Sequence, residues 1–502
     1  MTKRTTRWSG RGRQSIVVAA SFAALTAVGS CGDSSRSDRP GPSSAVLRIG
    51  VAQASMTNPM FGLRQLAGLL SIESLARAGE DGRMQPWLAE SWIAGRDGRS
   101  LTLKLRKNVR FHDGSPLDAD VVASVLPESL RSFMGPAYSD VDYVRTTGTD
   151  SVQVGFKEPS PFLLEALEGP IRKPGQPLVG TGPFLVAQDA TELQANSNYY
   201  LGQPRIHRIT VTNYPSLRSA WAEMLRDNLD MLYEVGVDAL DSLEGSSKVS
   251  TLTYTRHYQY VVAMNPAAPA LRRAEVRQAL NLAVDRPALV KNALNGHGVV
   301  SSGPLSPRHW ARAGARQPFV YDPKRAGDLL RQVTGRAPLR FTCLVSPSSR
   351  DERIALELKR QFAEAGIDFI VEEASREQIV ERAGKRQYEA VMTEVISGPT
   401  AFRPYMLWHS KGQMNWGGFG NATIDAAFDR VRRSSTDDEY RAAVASVEQA
   451  FTEDSPAIFL AWSVQARAVS KRFDVPPADP GRDILSNVRL WTPVNDTRAR
   501  RN

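Results

Sequence analysis

Six histidines, His112, His207, His257, His297, His309 and His409, are the first place to look for chemistry in these 502 residues. A zinc centre wants clustered His and Cys ligands, as in two histidines one helical turn apart. No two of the six are four residues apart, H-E-x-x-H is absent, and the cysteines number only two, Cys31 and Cys343. No G-x-S-x-G elbow or phosphate-cradling Walker loop occurs. The G-x-G within VGTGPF (179–184) is followed at once by Pro183 and has no third glycine. Glu372 and Glu373 are adjacent, so in a strand they face opposite ways and cannot share one substrate atom. The expectation is a protein that binds rather than catalyses, with no metal and no cofactor.

Cys31 has a chemistry of its own. Lys3, Arg4, Arg7, Arg11 and Arg13 precede an uncharged run, Ser15 to Ser30, which ends in Val28-Gly29-Ser30-Cys31. A basic start, a short apolar middle and small residues before the cut make a secretory signal. The run is shorter than the roughly 20 residues of a membrane span. Its end resembles a bacterial lipobox, in which a lipid-bearing cysteine becomes the first residue after cleavage; the competing reading is an ordinary signal with an incidental cysteine. Residues 1–30 are thus the expected lipoprotein signal and 31–46, rich in Ser, Pro and Gly, a flexible tether. Cys343, in LRFTCLVS, is left without a disulfide partner and reads as a small buried hydrophobe. The protein is expected to be exported and held to a membrane by lipid on Cys31. Five of the positive charges fall within the first thirteen residues, and no basic face with interleaved aromatics is visible, so nucleic acid is not an expected partner.

Strand and helix patterns alternate beyond the tether. LRIGVAQ (47–53), RITVTNY (208–214) and IDFIVEE (367–373) read as strands. LTLKLRKNVRF (101–111) reads as another, with Leu101, Leu103 and Leu105 on one face. Ile354, Leu358 and Phe362 recur every fourth residue along a helix that Gly366 stops. Asp322-Pro323 and Thr436-Asp-Asp-Glu439 open two more helices, and Asp118 and Asp285 cap the segments after them. The class is mixed α/β, and the length predicts two or three domains.

Seven stretches in order, GRMQPWLAESW (82–92), LTLKLRKNVRFHDGSPLDADVVAS (101–124), VGTGPF (179–184), NYYLGQPRI (198–206), MNPAAPALRRAEVRQALNLAVDRPALV (264–290), GPLSP (303–307) and YDPKRAGDLL (321–330), resemble the family 5 extracellular solute-binding proteins. These are the oligopeptide-, dipeptide- and nickel-type receptors of ABC importers. The resemblance implies an α/β, bilobed, periplasmic-binding-protein-like fold with a two-strand hinge and an inserted extra domain. Lobe I maps to 47–73, 173–263 and 463–502, the extra domain to 74–172 and lobe II to 264–462. The motifs themselves read as turns and caps, fold signatures rather than ligand contacts.

The same resemblance implies a cleft that closes on a peptide or peptide-like solute, a monomer that docks on the importer's membrane subunits, and no catalysed reaction. The stretch that carries an ammonium-binding aspartate in peptide-binding relatives aligns near EAVMTEVISGPTAF (389–402), which has no aspartate. Ser397 stands about where it would be, and Glu394 has two readings, an ammonium partner or a solvated strand edge. YMLWHSKGQMNWGGFGN (405–421) corresponds to a cleft-lining segment, which makes Trp408, Asn415 and Trp416 candidate contacts, with core packing the alternative for both indoles. Tyr258 and Tyr260 flank Gln259 on one strand face. Met56 and Asn58 fall where relatives meet ligand. Arg403 could pair with a ligand carboxylate but reads more simply as a surface residue, and His409, a lone histidine, reads as structural rather than as a nickel ligand. A sensory receptor docking on a chemoreceptor or kinase, and an exported hydrolase, are the competing functions.

Overall fold

The computed structural model describes residues 45–494 apart from 53–58, 161, 188, 237, 238, 241, 242, 244, 302, 313–318 and 336. Cys31 and the signal and tether, up to residue 44, lie outside the described residues, as do Met56 and Asn58.

Two long strands, Val249–Met264 and Ala457–Ser470, run antiparallel through the middle of an eleven-stranded sheet. Toward one edge follow Met231–Val235, Val46–Ala52, Arg208–Tyr214, Glu192–Ala195 and Phe184–Val186; toward the other follow Ala390–Ile396, Leu339–Val345 and Ile367–Glu373. Each side is an α/β half with its own core. The first buries Leu47, Ile49, Ile209 and Trp491; the second buries Val262, Phe341, Phe362 and Phe369. The pairing of the two central strands slips between Thr255 and Gln259, where three residues of one strand, 256–258, oppose the single residue Ser463 of the other. Such a bulge bends a ladder locally, and it lies where one core gives way to the next.

The sequence signals appear where their chemistry predicts. Asp118, Asp285 and Asp322 each accept the amide three residues on, from Val121 at 2.9 Å, Ala288 at 3.0 Å and Arg325 at 2.9 Å. Thr436 accepts from Glu439 at 3.2 Å and starts helix Asp437–Glu453. The 101–111 strand is shorter than expected. It ends at Leu105, and Asn108 turns the chain through a left-handed φ of 63° that no ladder accommodates.

That strand belongs to a separate four-stranded sheet in the order Ala89–Ala94, Ser100–Leu105, Ser151–Phe156, Val141–Gly148, covered by helix Ala119–Met134. The inserted unit is clasped to the first half by one buried carboxylate. Glu73 Oε1 accepts from Tyr199 Oη at 2.7 Å, Trp87 Nε1 at 2.9 Å and Tyr200 Oη at 3.0 Å, and Oε2 accepts from Thr181 Oγ1 at 2.8 Å. Gly180 and Gly182 lie so close to the backbone of Ser71 that a Cβ on either would fall within 3 Å of it.

Cys343 is fully buried in strand Leu339–Val345, and burial pushes its thiol far up from the usual range. The thiolate is the reactive form. Peptide-level mass spectrometry after maleimide treatment should therefore find Cys343 unmodified in the native protein and modified in urea. Labelling within minutes without denaturant would refute the burial.

Candidate functional site

Parallel strands of an open α/β sheet carry ligand sites beyond their carboxyl ends. In the first half, Ala52 and Tyr214 end such strands, and Met231–Val235, parallel to Val46–Ala52, places Tyr233 and Glu234 beside the same edge. In the second half, Leu339–Val345 ends shortly before Arg350, and Ala390–Ile396 ends with Glu394 in its last turn of pleat. The two central strands bring these ends together.

Arg256, Tyr258 and Tyr260 alternate along one side of the first central strand. Arg256 Nη1 donates to both oxygens of Glu394, at 3.2 and 3.3 Å, and its guanidinium lies 4.1 Å from the centre of the Tyr258 ring. Tyr260 pairs with Glu394 across the ladder, and its hydroxyl is 3.2 Å from Ser463 Oγ. Arg350 reaches over the Tyr260 ring at 5.1 Å. Its Nε makes only a long contact of 3.5 Å with Asp351, and among the described residues its two Nη atoms have no hydrogen-bond partner. Burial pushes the Tyr260 hydroxyl up to about 12, so it stays a donor at physiological pH.

The floor of this cluster is rigid. Arg467, fully buried on the second central strand, donates to Asp483 at 2.6 Å and to the Tyr254 hydroxyl at 2.7 Å, and its guanidinium sits 3.9 Å from the Tyr233 ring centre. Tyr254 in turn donates to Gln465 at 2.9 Å, and Gln465 donates to Glu234 at 3.4 Å. Aromatic faces, guanidinium groups and carboxylates from both halves thus line one side of the central strands. That mixture suits a small polar solute with apolar parts.

The opposite side of the same strands is filled. Gln259 donates to Ser397 Oγ at 2.6 Å and accepts from Ser301 Oγ at 2.7 Å, and all three side chains are buried. A cavity of about 30 Å³ remains nearby, lined by Thr255, Arg256, His257, Arg308, Pro399 and Trp462 among others, room for a water and not for a solute. Ser397 therefore serves a core network, on the other face from Glu394.

The structure places the remaining candidates elsewhere. Trp408 meets Phe451 and Phe459 edge-on and is 6 % exposed, a core position. Asn415 spends its amide on the carbonyls of His409 and Phe419, at 3.0 and 2.7 Å, and accepts from Phe419 N, so it staples its own loop. Trp416 packs on Tyr388 with ring centres 5.9 Å apart. Tyr388 precedes strand Ala390–Ile396, roughly 20 Å along an extended chain from Glu394. An open groove of about 440 Å³ lies at that end, lined by Asn265, Thr342, Arg382, Arg386 and Tyr388. All belong to the second half, so closing two halves would not shape it. Arg403 lies over the Phe133 ring at 4.5 Å, and His409 is buried against Tyr405. Among the described residues no group of three His, Cys, Asp or Glu side chains could hold a metal ion.

Two residues of this cluster escaped sequence reasoning. Arg256 was within reach, because the alternation of Tyr260 and Tyr258 continues to it. Arg350 carries no local signal; only the strand-end rule, applied to Val345, points there.

Comparison with known proteins gives a consistent picture. The family model described as bacterial extracellular solute-binding proteins, family 5 Middle, matches residues 83–416. The nickel-binding periplasmic protein of Escherichia coli strain K12 is 29% identical over 310 residues, 56% of this chain and 58% of its own. The chain thus matches little over half the length of that relative. The oligopeptide-binding protein AppA of Bacillus subtilis strain 168 is 23% identical over 450 residues, 80% of this chain and 83% of its own. Among solved structures, NikZ from Campylobacter jejuni in complex with Ni(L-His) superposes with a TM-score of 0.75 at 23% identity, covering 89% of this chain and 99% of that one.

Proposed function

Because the chain belongs to the bacterial extracellular solute-binding proteins of family 5, we propose that it is the receptor of an ABC importer, which closes its two halves on a peptide or peptide-like solute and hands it to the membrane subunits. The observation that carries this is the convergence of Arg350 and Glu394 from one half with Tyr233 and Glu234 from the other, across a bulged pair of central strands. Solute held there touches both halves only when they are shut, so it stabilises the shut form by differential contact. Arg350 binds an anionic or carbonyl group of the solute, Tyr258 supplies an apolar face, and Tyr260, packed into the second half's core, backs the Arg350 guanidinium. Lobe I is 47–73, 173–263 and 463–502, the extra domain 74–172, and lobe II 264–462. The chain catalyses no reaction and is anchored by lipid on Cys31.

Native mass spectrometry of protein purified from the cells that make it tests the reading. A bound small mass is expected, and the same spectra read acylation at Cys31. Arg350→Gln should raise the dissociation constant of that solute ten- to a hundredfold, the loss of a charge-assisted hydrogen bond worth about 1.5–3 kcal/mol. Titration calorimetry checks it; unchanged affinity removes Arg350 from the site, and no bound mass under any growth condition removes the receptor.

A further inference from the structure

The inserted unit touches the second half as well as the first, through a shared apolar core and several polar contacts, one of them made by a buried carboxylate. Glu165, on the short helix Phe162–Ala166, is 6 % exposed. Its Oε2 accepts the backbone N–H of Phe402 at 2.8 Å, and its Oε1 accepts the Tyr440 hydroxyl at 3.3 Å. Both donors belong to the second half. Ala401, just before Phe402, has no side chain with which to satisfy that amide. The Phe402 ring is stacked on Phe133 at 5.2 Å and edge-on to Phe162 at 5.3 Å, so the inserted unit encloses it on two sides. At the rim, Arg432 Nε donates to Asp140 at 2.6 Å.

This contact differs in kind from the clasp at Glu73. The Glu73 cluster joins the inserted unit to the half from which it springs, and nothing in a hinge motion between halves breaks it. The Glu165 contact joins it to the half that swings away. We propose that Glu165 is a closure latch: its carboxylate is the detachable acceptor for Phe402 N–H and Tyr440 Oη, engaged when the halves shut and released when they part. The inference rests on the two-half closure stated above and adds to it one polar contact that helps hold the shut form, beside the apolar core the two units share. The latch is also placed to sense the cleft. Phe402 follows Glu394 by eight residues, and Ser397 and Gly398 between them are tied by their amides to His257 O on the first central strand. A solute that settles Glu394 therefore settles the segment that presents Phe402 to Glu165.

The test uses the full chain with Glu165→Ala and Glu165→Gln, read by amide hydrogen exchange and small-angle scattering. In Glu165→Ala the Phe402 amide should exchange at least tenfold faster and the radius of gyration should rise, while the amides of strand Ala457–Ser470 keep their protection. Glu165→Gln retains an acceptor oxygen and should stay near the parent in both measurements. Parent-like exchange and size in Glu165→Ala overturn the latch. Exchange that accelerates equally in the central strand also overturns it, since Glu165 would then support the fold as a whole. Solute binding tested through Arg350 takes no part in these readouts, so the receptor reading fails or stands separately.

Discussion

Replacing Glu73 by alanine should lower the stability of the protein by about 3–5 kcal/mol, whereas Glu73→Gln should leave it within about 1 kcal/mol. Four donors converge on this one carboxylate, three of them on Oε1. Alanine strands two tyrosine hydroxyls, an indole N–H and a threonine hydroxyl in a site that is almost fully closed to solvent, and each buried group without a partner costs about 1–3 kcal/mol, less what water entering the gap recovers. Glutamine behaves differently. Its carbonyl oxygen can take the place of Oε1 and keep three donors, while its NH2 faces Thr181, whose hydroxyl turns to accept. Burial above all holds the Glu73 carboxyl above its usual range, against the pull of its donors. The charge is thus a cost that the amide avoids. Urea unfolding of the three proteins checks the ordering. Equal losses for alanine and glutamine would mean that the charge itself is required, and an alanine variant as stable as the parent would mean that the cluster holds nothing together.

The Glu73 cluster also explains what the ordered motifs are for. Trp87 comes from GRMQPWLAESW, Thr181 from VGTGPF, and Tyr199 and Tyr200 from NYYLGQPRI, three stretches spread over more than a hundred residues. Sequence reasoning recognised them as fold signatures but could not see that they share one partner, because Glu73 lies in none of them and the partnership is entirely long-range.

Local chemistry was legible throughout. An aspartate whose side chain accepts an amide three residues away needs no tertiary context, so Asp118, Asp285 and Asp322 could be read directly. Period-two alternation put Tyr258 and Tyr260 on one strand face, and the resemblance drew attention to Glu394 as the acid nearest the missing aspartate. The segment 405–421 was harder, since its tryptophans and asparagine have the right composition for a binding surface. Their use is decided by partners that sequence does not display: Phe451 and Phe459 for Trp408, the loop's own carbonyls for Asn415, and Tyr388 for Trp416. Ser397 illustrates the same limit at shorter range. It stands three residues after Glu394 and so faces the other way, into the network around Gln259.

The stability of the protein should fall more steeply on acidification than that of His309→Phe, by about 3 kcal/mol in all, between pH 6.5 and 4. His309 is 2 % exposed, its ring stacked on Trp310 and Tyr440 at 6.1 and 5.9 Å, and its Nδ1 accepts the Ala311 amide at 3.2 Å. The turn at Gly82 of the inserted unit closes over it so tightly that a Cβ there would stand 2.3 Å from Pro399 O and 3.3 Å from the ring. Burial foremost, then the positive charge of Arg312, with Arg83 adding to it and Asp81 opposing, holds the imidazole at about 4 against an ordinary 6.5. The sign follows from which state takes the proton. Below pH 6.5 the unfolded chain binds a proton at His309 and the folded chain does not, so unfolding is favoured progressively until pH 4, where the folded form also titrates. A difference of about 2.5 pK units corresponds to about 3 kcal/mol, and most of it is lost by pH 4.5. Phenylalanine keeps the ring stack, gives up the Nδ1 acceptor at every pH alike, and removes the titration. Other buried groups contribute equally to both proteins and cancel in the difference. Urea midpoints at pH 7.5 and 4.5 supply the comparison: parallel losses for parent and variant would show that His309 is as easily protonated in the folded chain as outside it, and that the Gly82 turn does not seal the junction between the inserted unit and the second half.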